Sequence, residues 1–122
     1  MPNINAALGC AQLENLDRYV ADKRETAACY AEFFKGKEDI TFFTEPADCK
    51  SNYWLNAVVL KDKAAQLDFL EYTNDHGVMT RPVWELMNRL LMFEHCETDG
   101  LENTEWLADR VVNIPSSVRL DK

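Results

Sequence analysis

The segment from Asn3 to about Phe34 is the part of this chain that most constrains its fold. It contains no proline, and residues that favour helices dominate it. Asn3 is a good N-cap residue just after Pro2, and Gly36 ends the run. The pattern therefore predicts a single helix of about 46 Å, at about 1.5 Å per residue. A compact chain of 122 residues has a diameter of about 35 Å, so this helix is expected to extend beyond its own domain.

The first third of this helix is apolar or small on nearly every side. Residues 4–13 read INAALGCAQL, whereas residues 14–25 are amphipathic. A stripe at three-to-four spacing comprises Leu13, Leu16, Val20, Ala27, Tyr30 and Phe34. A helix that is apolar all round is normally buried, and no other segment of the chain is long enough to surround this one. We therefore expect residues 4–13 to dock against protein outside this chain, the alternative being a frayed, alanine-rich helix end.

The remaining sequence predicts an α+β fold with a small, mainly antiparallel sheet packed with helices. Strands are expected at 40–44, 52–61, 78–83 and 111–114, and helices at 62–75, 84–93 and 101–109. Asp62 is expected to cap the second helix, and His76 with Gly77 to end it. Pro82 interrupts the third strand, so that strand is expected at an edge of the sheet.

Charge and hydropathy exclude several classes of partner. The chain has 13 Lys and Arg against 21 Asp and Glu, a net charge of −8, which repels phosphate backbones and anionic lipid. No apolar run approaches the roughly 20 residues of a membrane span, and the N-terminus lacks the layout of a signal peptide. The sequence thus favours a cytoplasmic protein that binds neither nucleic acid nor membrane.

Residues suited to catalysis or metal binding are few. The four cysteines stand singly, so we expect them to be reduced and mostly buried. The two histidines offer few metal ligands, and the four glycines never cluster as a phosphate loop does. The lysines, Lys122 included, lie in polar settings and are expected to be solvated. We assign no catalytic residue and no metal site.

Arg81 and Trp84 are the candidate binding residues. They flank Pro82, which stops sheet pairing and turns the chain outward. An arginine suits a carboxylate or phosphate with bidentate geometry, and a tryptophan suits the face of a sugar or base. The alternative is structural: an arginine bound to a helix C-terminus beside a half-buried tryptophan.

Four blocks of the sequence resemble one known family. The opening MPNINAALGCAQLENLDRYVADKRETAACYAEFF is similar to the start of the C-terminal part of the DegT/DnrJ/EryC1/StrS family of pyridoxal-phosphate-dependent nucleotide-sugar aminotransferases. NYWLNAVVL, GVMTRPVWELMN and ADRVVNIPSS follow in the order and spacing of that family. The resemblance covers essentially all 122 residues and lies close to the branch that makes bacillosamine and legionaminic acid.

The resemblance implies a C-terminal domain without the cofactor-binding domain. In the family, the phosphate cup, the aspartate facing the pyridine nitrogen and the Schiff-base lysine lie upstream of the segment that Met1 to Asn5 resembles. We therefore expect residues 1–35 to be a linking helix, residues 36–122 to be an α/β sandwich, and the chain alone to bind no pyridoxal phosphate. Arg81 and Trp84 match the segment near the active-site mouth, so they are expected to contact the nucleotide-sugar substrate.

Three functions remain as alternatives. In the first, the complete protein transfers an amino group from an amino acid, expected to be glutamate, to a nucleotide-linked keto sugar, and it forms a homodimer. In the second, the chain is a free-standing, non-catalytic interaction module that dimerises through its apolar helix end. A third option is a catalytically inactive regulatory homologue.

Overall fold

A computed structural model describes residues 2–119 and shows four α-helices around a four-stranded sheet. The helices are α1 (Asn3–Glu14), α2 (Leu16–Phe34), α3 (Lys63–Asp75) and α4 (Glu102–Ala108). The strands are β1 (Ile40–Phe42), β2 (Asn56–Leu60), β3 (Arg81–Pro82) and β4 (Val111–Ile114). Single 3-10 turns lie at Met87–Arg89 and Leu91–Phe93. The α+β fold expected from the sequence is confirmed.

The sheet has the strand order β1-β2-β4-β3, and every neighbouring pair is antiparallel. Val58 lies at its centre, opposite Phe42 on one side and Val112 on the other. Both valines are fully buried, as the middle residues of a sheet with a covered face should be. β3 is an outer strand, as Pro82 predicts, because proline has no N–H to donate to a central ladder.

The face of the sheet that carries Val58 packs against α2 and α3. Ala27 of α2 is buried in the same cluster, and Phe69 and Leu70 of α3 pack against it while remaining partly exposed. The helix α3 begins where the sequence predicts, because Asp62 Oδ1 accepts a hydrogen bond of 2.8 Å from Ala65 N–H. It ends before Gly77, whose φ of 76° lies in the left-handed region that glycine favours.

The long N-terminal helix is interrupted at Asn15, so the prediction of one continuous helix is wrong at that residue. Asn15 Nδ2 donates to Ala11 O at 2.9 Å, and its backbone N–H donates to Gln12 O. The side chain thus competes with the regular backbone bonds, as asparagine does within helices. Tyr19 N–H donates to Asn15 O at 3.0 Å and restores the helical pattern. The helix begins at Asn3 itself, with Pro2 at the N-cap position.

The first helix, α1, buries none of its residues within the part of the chain that the structure describes. Ile4 is 74% exposed and Leu13 is 68% exposed. The apolar stripe predicted from the sequence is therefore only partly buried. Ala27, Tyr30 and Phe34 pack on the core, whereas Leu13 and Leu16 are exposed. The expectation that residues 4–13 are not covered by their own chain is confirmed within residues 2–119.

Three other predicted elements differ from the structure. The strand predicted at 52–61 begins only at Asn56, because Tyr53 has a φ of 47°, outside the strand region. The strand predicted at 78–83 shortens to two residues. The helix predicted at 84–93 is replaced by the two 3-10 turns, since Leu90 between them is extended, with a ψ of 129°.

Candidate functional site

A groove of about 550 Å³ lies along the β3 edge of the sheet. Three stretches of chain form its walls: the segment before β2, the segment around β3, and the end of β4 with the residues that follow. Its lining residues are Trp54, Leu55, Met79, Arg81, Pro82, Trp84, Asn113, Ile114, Pro115, Ser116 and Ser117. Both residues singled out from the sequence, Arg81 and Trp84, line this groove.

Arg81 is placed by its neighbours on both sides. It pairs with Asn113 in the sheet, and the buried Thr80 before it is fixed to the end of α3. Thr80 Oγ1 lies 2.6 Å from Thr73 Oγ1, and Asn74 Nδ2 donates to Thr80 O at 3.1 Å. These bonds fix the backbone. Arg81 itself is exposed, and among residues 2–119 its guanidinium makes only a weak contact, from Nη2 to Met79 Sδ at 3.4 Å. Within residues 2–119 no carboxylate pairs with it, so this cation is available to an anionic ligand.

Two indole rings border the groove rather than one. Trp84 is 77% exposed and Trp54 is 64% exposed, which is unusual for side chains with so much apolar surface. Sequence reasoning missed Trp54 because it placed this residue inside a strand. The structure puts it before β2, in the groove wall. An aromatic face beside an unpaired arginine suits a ligand that combines a ring with a phosphate.

The loop between β1 and β2 is held by an ion pair to α2. Arg24 Nη1 and Nη2 donate to the two carboxylate oxygens of Glu45, at 3.0 and 2.7 Å. Ser51 N–H also donates to Glu45 Oε2, and Arg24 Nη1 donates to Ser51 O. The hydrogen bond from Arg24, followed by that from Ser51, lowers the pKa of Glu45 to about 2. This bidentate pair fixes the loop that leads into Trp54.

Replacing Glu45 with glutamine is expected to destabilise the fold at neutral pH and to matter less in acid. The folded-state pKa of about 2 lies below the ordinary value of 4.5. The carboxylate therefore stabilises the fold above pH 4.5, and this contribution is lost as pH falls towards 2. Urea unfolding at several pH values should show the difference between wild type and Glu45→Gln shrinking over that range. Glu32→Gln, at an exposed pair with Lys35, is the control, and an equal pH dependence of both variants would contradict the assignment.

The cysteines and lysines offer no catalytic constellation in the described part of the chain. All four cysteines are exposed, so the expectation that they are mostly buried is wrong. Cys10 lies on the uncovered α1, and Cys49 and Cys96 lie outside the helices and strands. Within residues 2–119 no cluster of His, Cys, Asp or Glu is arranged to hold a metal ion, and no helix combines the length and apolarity needed to cross a membrane.

The described lysines are exposed with one exception. Lys23 is partly buried and donates hydrogen bonds to the backbone, so the expectation of a solvated side chain is wrong there. Lys122 lies outside the described residues. No described lysine is enclosed in an apolar pocket of the kind that activates an amine for imine formation.

Comparison with known proteins identifies relatives over the whole chain. The model of the DegT/DnrJ/EryC1/StrS aminotransferase family matches residues 1–122. A GDP-perosamine synthase of Vibrio cholerae is 26% identical over 119 residues, covering 95% of this chain and 32% of that protein. The sugar aminotransferase CalS13 of Micromonospora echinospora has a TM-score of 0.82 at 25% identity, over 95% of this chain and 30% of that one.

A second solved structure shares the fold. Helicobacter pylori PseC, an aminotransferase involved in the biosynthesis of pseudoaminic acid, has a TM-score of 0.87 at 20% identity, over 97% of this chain and 33% of that one. At this identity the likeness concerns the fold alone. The chain spans about a third of the length of the curated relatives it matches.

Proposed function

Because this chain belongs to the DegT/DnrJ/EryC1/StrS aminotransferase family, we propose that it is part of a pyridoxal-phosphate-dependent enzyme that aminates a nucleotide-linked keto sugar. The family match over residues 1–122 is the observation that carries this proposal. Relatives named as a GDP-perosamine synthase and a sugar aminotransferase support a sugar substrate. The amino donor is proposed to be glutamate, and the product an amino sugar for a polysaccharide or glycan.

The groove is proposed to bind the nucleotide end of the substrate. Arg81 is exposed and unpaired within the described residues, so its guanidinium can donate two parallel hydrogen bonds to a phosphate. The Trp84 indole lies in the same groove and offers a flat apolar face to a base or a sugar ring. Both residues are substrate-binding in this proposal, and neither is catalytic.

The described residues of this chain do not fit pyridoxal phosphate. That cofactor needs a lysine for its imine and a cluster of backbone N–H groups for its phosphate. The described lysines are exposed or bonded to backbone carbonyls, and no glycine-rich loop precedes a helix. We therefore propose that the complete protein holds its cofactor outside residues 2–119, and we assign this chain no step of the chemistry on it.

The exposed α1 is proposed to pack on the cofactor-binding part of the protein and on a second copy in a homodimer. Ile4, Leu8 and Leu13 are each more than 60% exposed and lie on more than one side of α1, and a helix that is apolar all round is normally buried. In this proposal residues 1–35 are the linking helix, interrupted at Asn15 into α1 and α2, and residues 36–122 form an α/β sandwich that walls the substrate cleft. The same exposed surface supports the second candidate function, a non-catalytic interaction module.

An amination assay on the complete reading frame that contains this chain tests the proposal. With pyridoxal phosphate and glutamate, the protein is expected to convert a nucleotide-linked keto sugar to its amino sugar, releasing one 2-oxoglutarate per product. Mass spectrometry of the sugar and an enzymatic assay of the keto acid would measure both. No amination across a panel of uridine, guanosine and thymidine diphosphate keto sugars would favour the interaction module.

The isolated 122-residue chain is the control for the position of the cofactor. Incubated with pyridoxal phosphate and borohydride, it is expected to give no stoichiometric adduct. A reducible adduct at one lysine would contradict the proposal that the cofactor lies elsewhere.

A further inference from the structure

The stretch from Ser51 to Trp54, which lies shortly before β2, is held on α2 at both ends. Arg24 Nη1 donates to Ser51 O at the start of this stretch, and Lys23 Nζ donates to Trp54 O at its end, at 3.5 Å. Tyr53 between them has a φ of 47°. A non-glycine residue stays in this region only where surrounding contacts hold it. Two consecutive side chains of one helix therefore fix the backbone that carries an indole of the groove.

Lys23 also joins this stretch to the opposite part of the chain. Its Nζ donates to Ser116 O as well as to Trp54 O, and Ser116 Oγ donates to the same Trp54 carbonyl at 3.0 Å. Trp54 and Ser116 both line the groove, although 62 positions separate them in the sequence. The Lys23 ammonium on α2 and the Ser116 hydroxyl thus both join the Trp54 wall of the groove to the wall that follows β4.

We propose that Lys23 is a positioning residue of the nucleotide-sugar groove, which sets where the Trp54 indole lies relative to the end of β4. This inference rests on the function proposed for the groove and extends it to a residue that does not line it. Lysine suits the role because its ammonium carries three donors on a flexible stem and can satisfy several carbonyls at once.

The test uses the three tryptophans of the chain as reporters. Their indole N–H signals are recorded by NMR on ¹⁵N-labelled protein and assigned by replacing each tryptophan with phenylalanine. Lys23→Met is expected to shift or broaden the Trp54 signal and leave that of Trp106 in place. Lys23→Arg keeps the donors and is expected to retain the wild-type signal. Lys35→Met removes a lysine from an exposed pair and is the matched control.

Uridine diphosphate and guanosine diphosphate are the probes for binding. In the wild type, the nucleotide that binds is expected to move the Trp54 and Trp84 signals, and Lys23→Met to weaken its affinity about fivefold. An unchanged Trp54 signal in Lys23→Met overturns the positioning role, whatever happens to binding. A changed Trp54 signal with no response to either nucleotide overturns the proposed function of the groove and leaves the role of Lys23 in holding its walls supported.

A second variant covers the case in which Lys23→Met does not fold. Ser116→Ala removes only the hydroxyl bond to Trp54 O and is expected to shift the Trp54 signal by a smaller amount. Because Ser116→Ala leaves both bonds of Lys23 in place, Lys23→Gln, which keeps a polar side chain, then decides the proposal, and an unchanged Trp54 signal in Lys23→Gln overturns it.

Discussion

Replacing Arg81 with alanine is expected to weaken binding of the proposed nucleotide-sugar substrate by about 10- to 100-fold, since a hydrogen bond to a charged group contributes about 1.5–3 kcal/mol. The guanidinium is exposed in the groove and has no carboxylate partner among residues 2–119. Its removal therefore costs a ligand contact without leaving a buried charge behind. The loss should appear mainly in KM, measured by amination kinetics on the complete enzyme.

Two further variants, one at Arg81 and one at Arg18, separate the geometry of the guanidinium from its charge. Arg81→Lys keeps the positive charge but loses the planar fork, so it is expected to fall between wild type and Arg81→Ala. Arg18→Ala removes the same charge from an exposed position of α2 that does not line the groove, and it should leave KM unchanged. If Arg81→Ala and Arg18→Ala behave alike, Arg81 does not contact the substrate.

Replacing Gln66 with methionine is expected to lower the free energy of unfolding by about 2–4 kcal/mol, because buried polar groups lose their partners. Gln66 is completely buried. Its Nε2 donates to Ala108 O and Val111 O, each at 2.9 Å, and its Oε1 accepts from Lys63 Nζ at 2.7 Å. This one amide thereby joins α3 to the connection between α4 and β4, the strand that contributes Asn113 to the groove.

Urea unfolding measures this effect, with Gln12→Met as the matched control. Gln12 lies exposed on α1, and surface substitutions of this kind change stability by less than about 0.5 kcal/mol. A loss below about 1 kcal/mol for Gln66→Met would show that other groups satisfy the two carbonyls when the amide is absent.

Local sequence predicted the elements whose formation depends on local chemistry. The capping carboxylate of Asp62 and the left-handed Gly77 place α3 correctly, because each acts on its own turn of backbone. Pro82 correctly predicted an outer strand for a similar reason. The sequence also predicted that Arg81 and Trp84 lie close together, because only two residues separate them, and both line the same groove.

Features that depend on distant contacts were not predicted. The helix expected at 84–93 does not form, because Met87, Leu91 and Met92 remain exposed and no packed face stabilises it against 3-10 turns. The link from Lys23 to the groove was not predicted either. It consists of hydrogen bonds to Trp54, 31 residues away, and to Ser116, 93 residues away. Such pairings have no signature in the periodicity of a single sequence.

The strand order also limits how this chain can aggregate. β1 has three residues and β3 has two, the second of which is Pro82. Sheets grow into fibrils when a further strand pairs with an exposed edge strand. Edge strands this short offer few backbone groups for pairing, and in β3 the proline has no amide hydrogen to donate. The two short outer strands thus disfavour edge-to-edge growth of the sheet from one chain to the next.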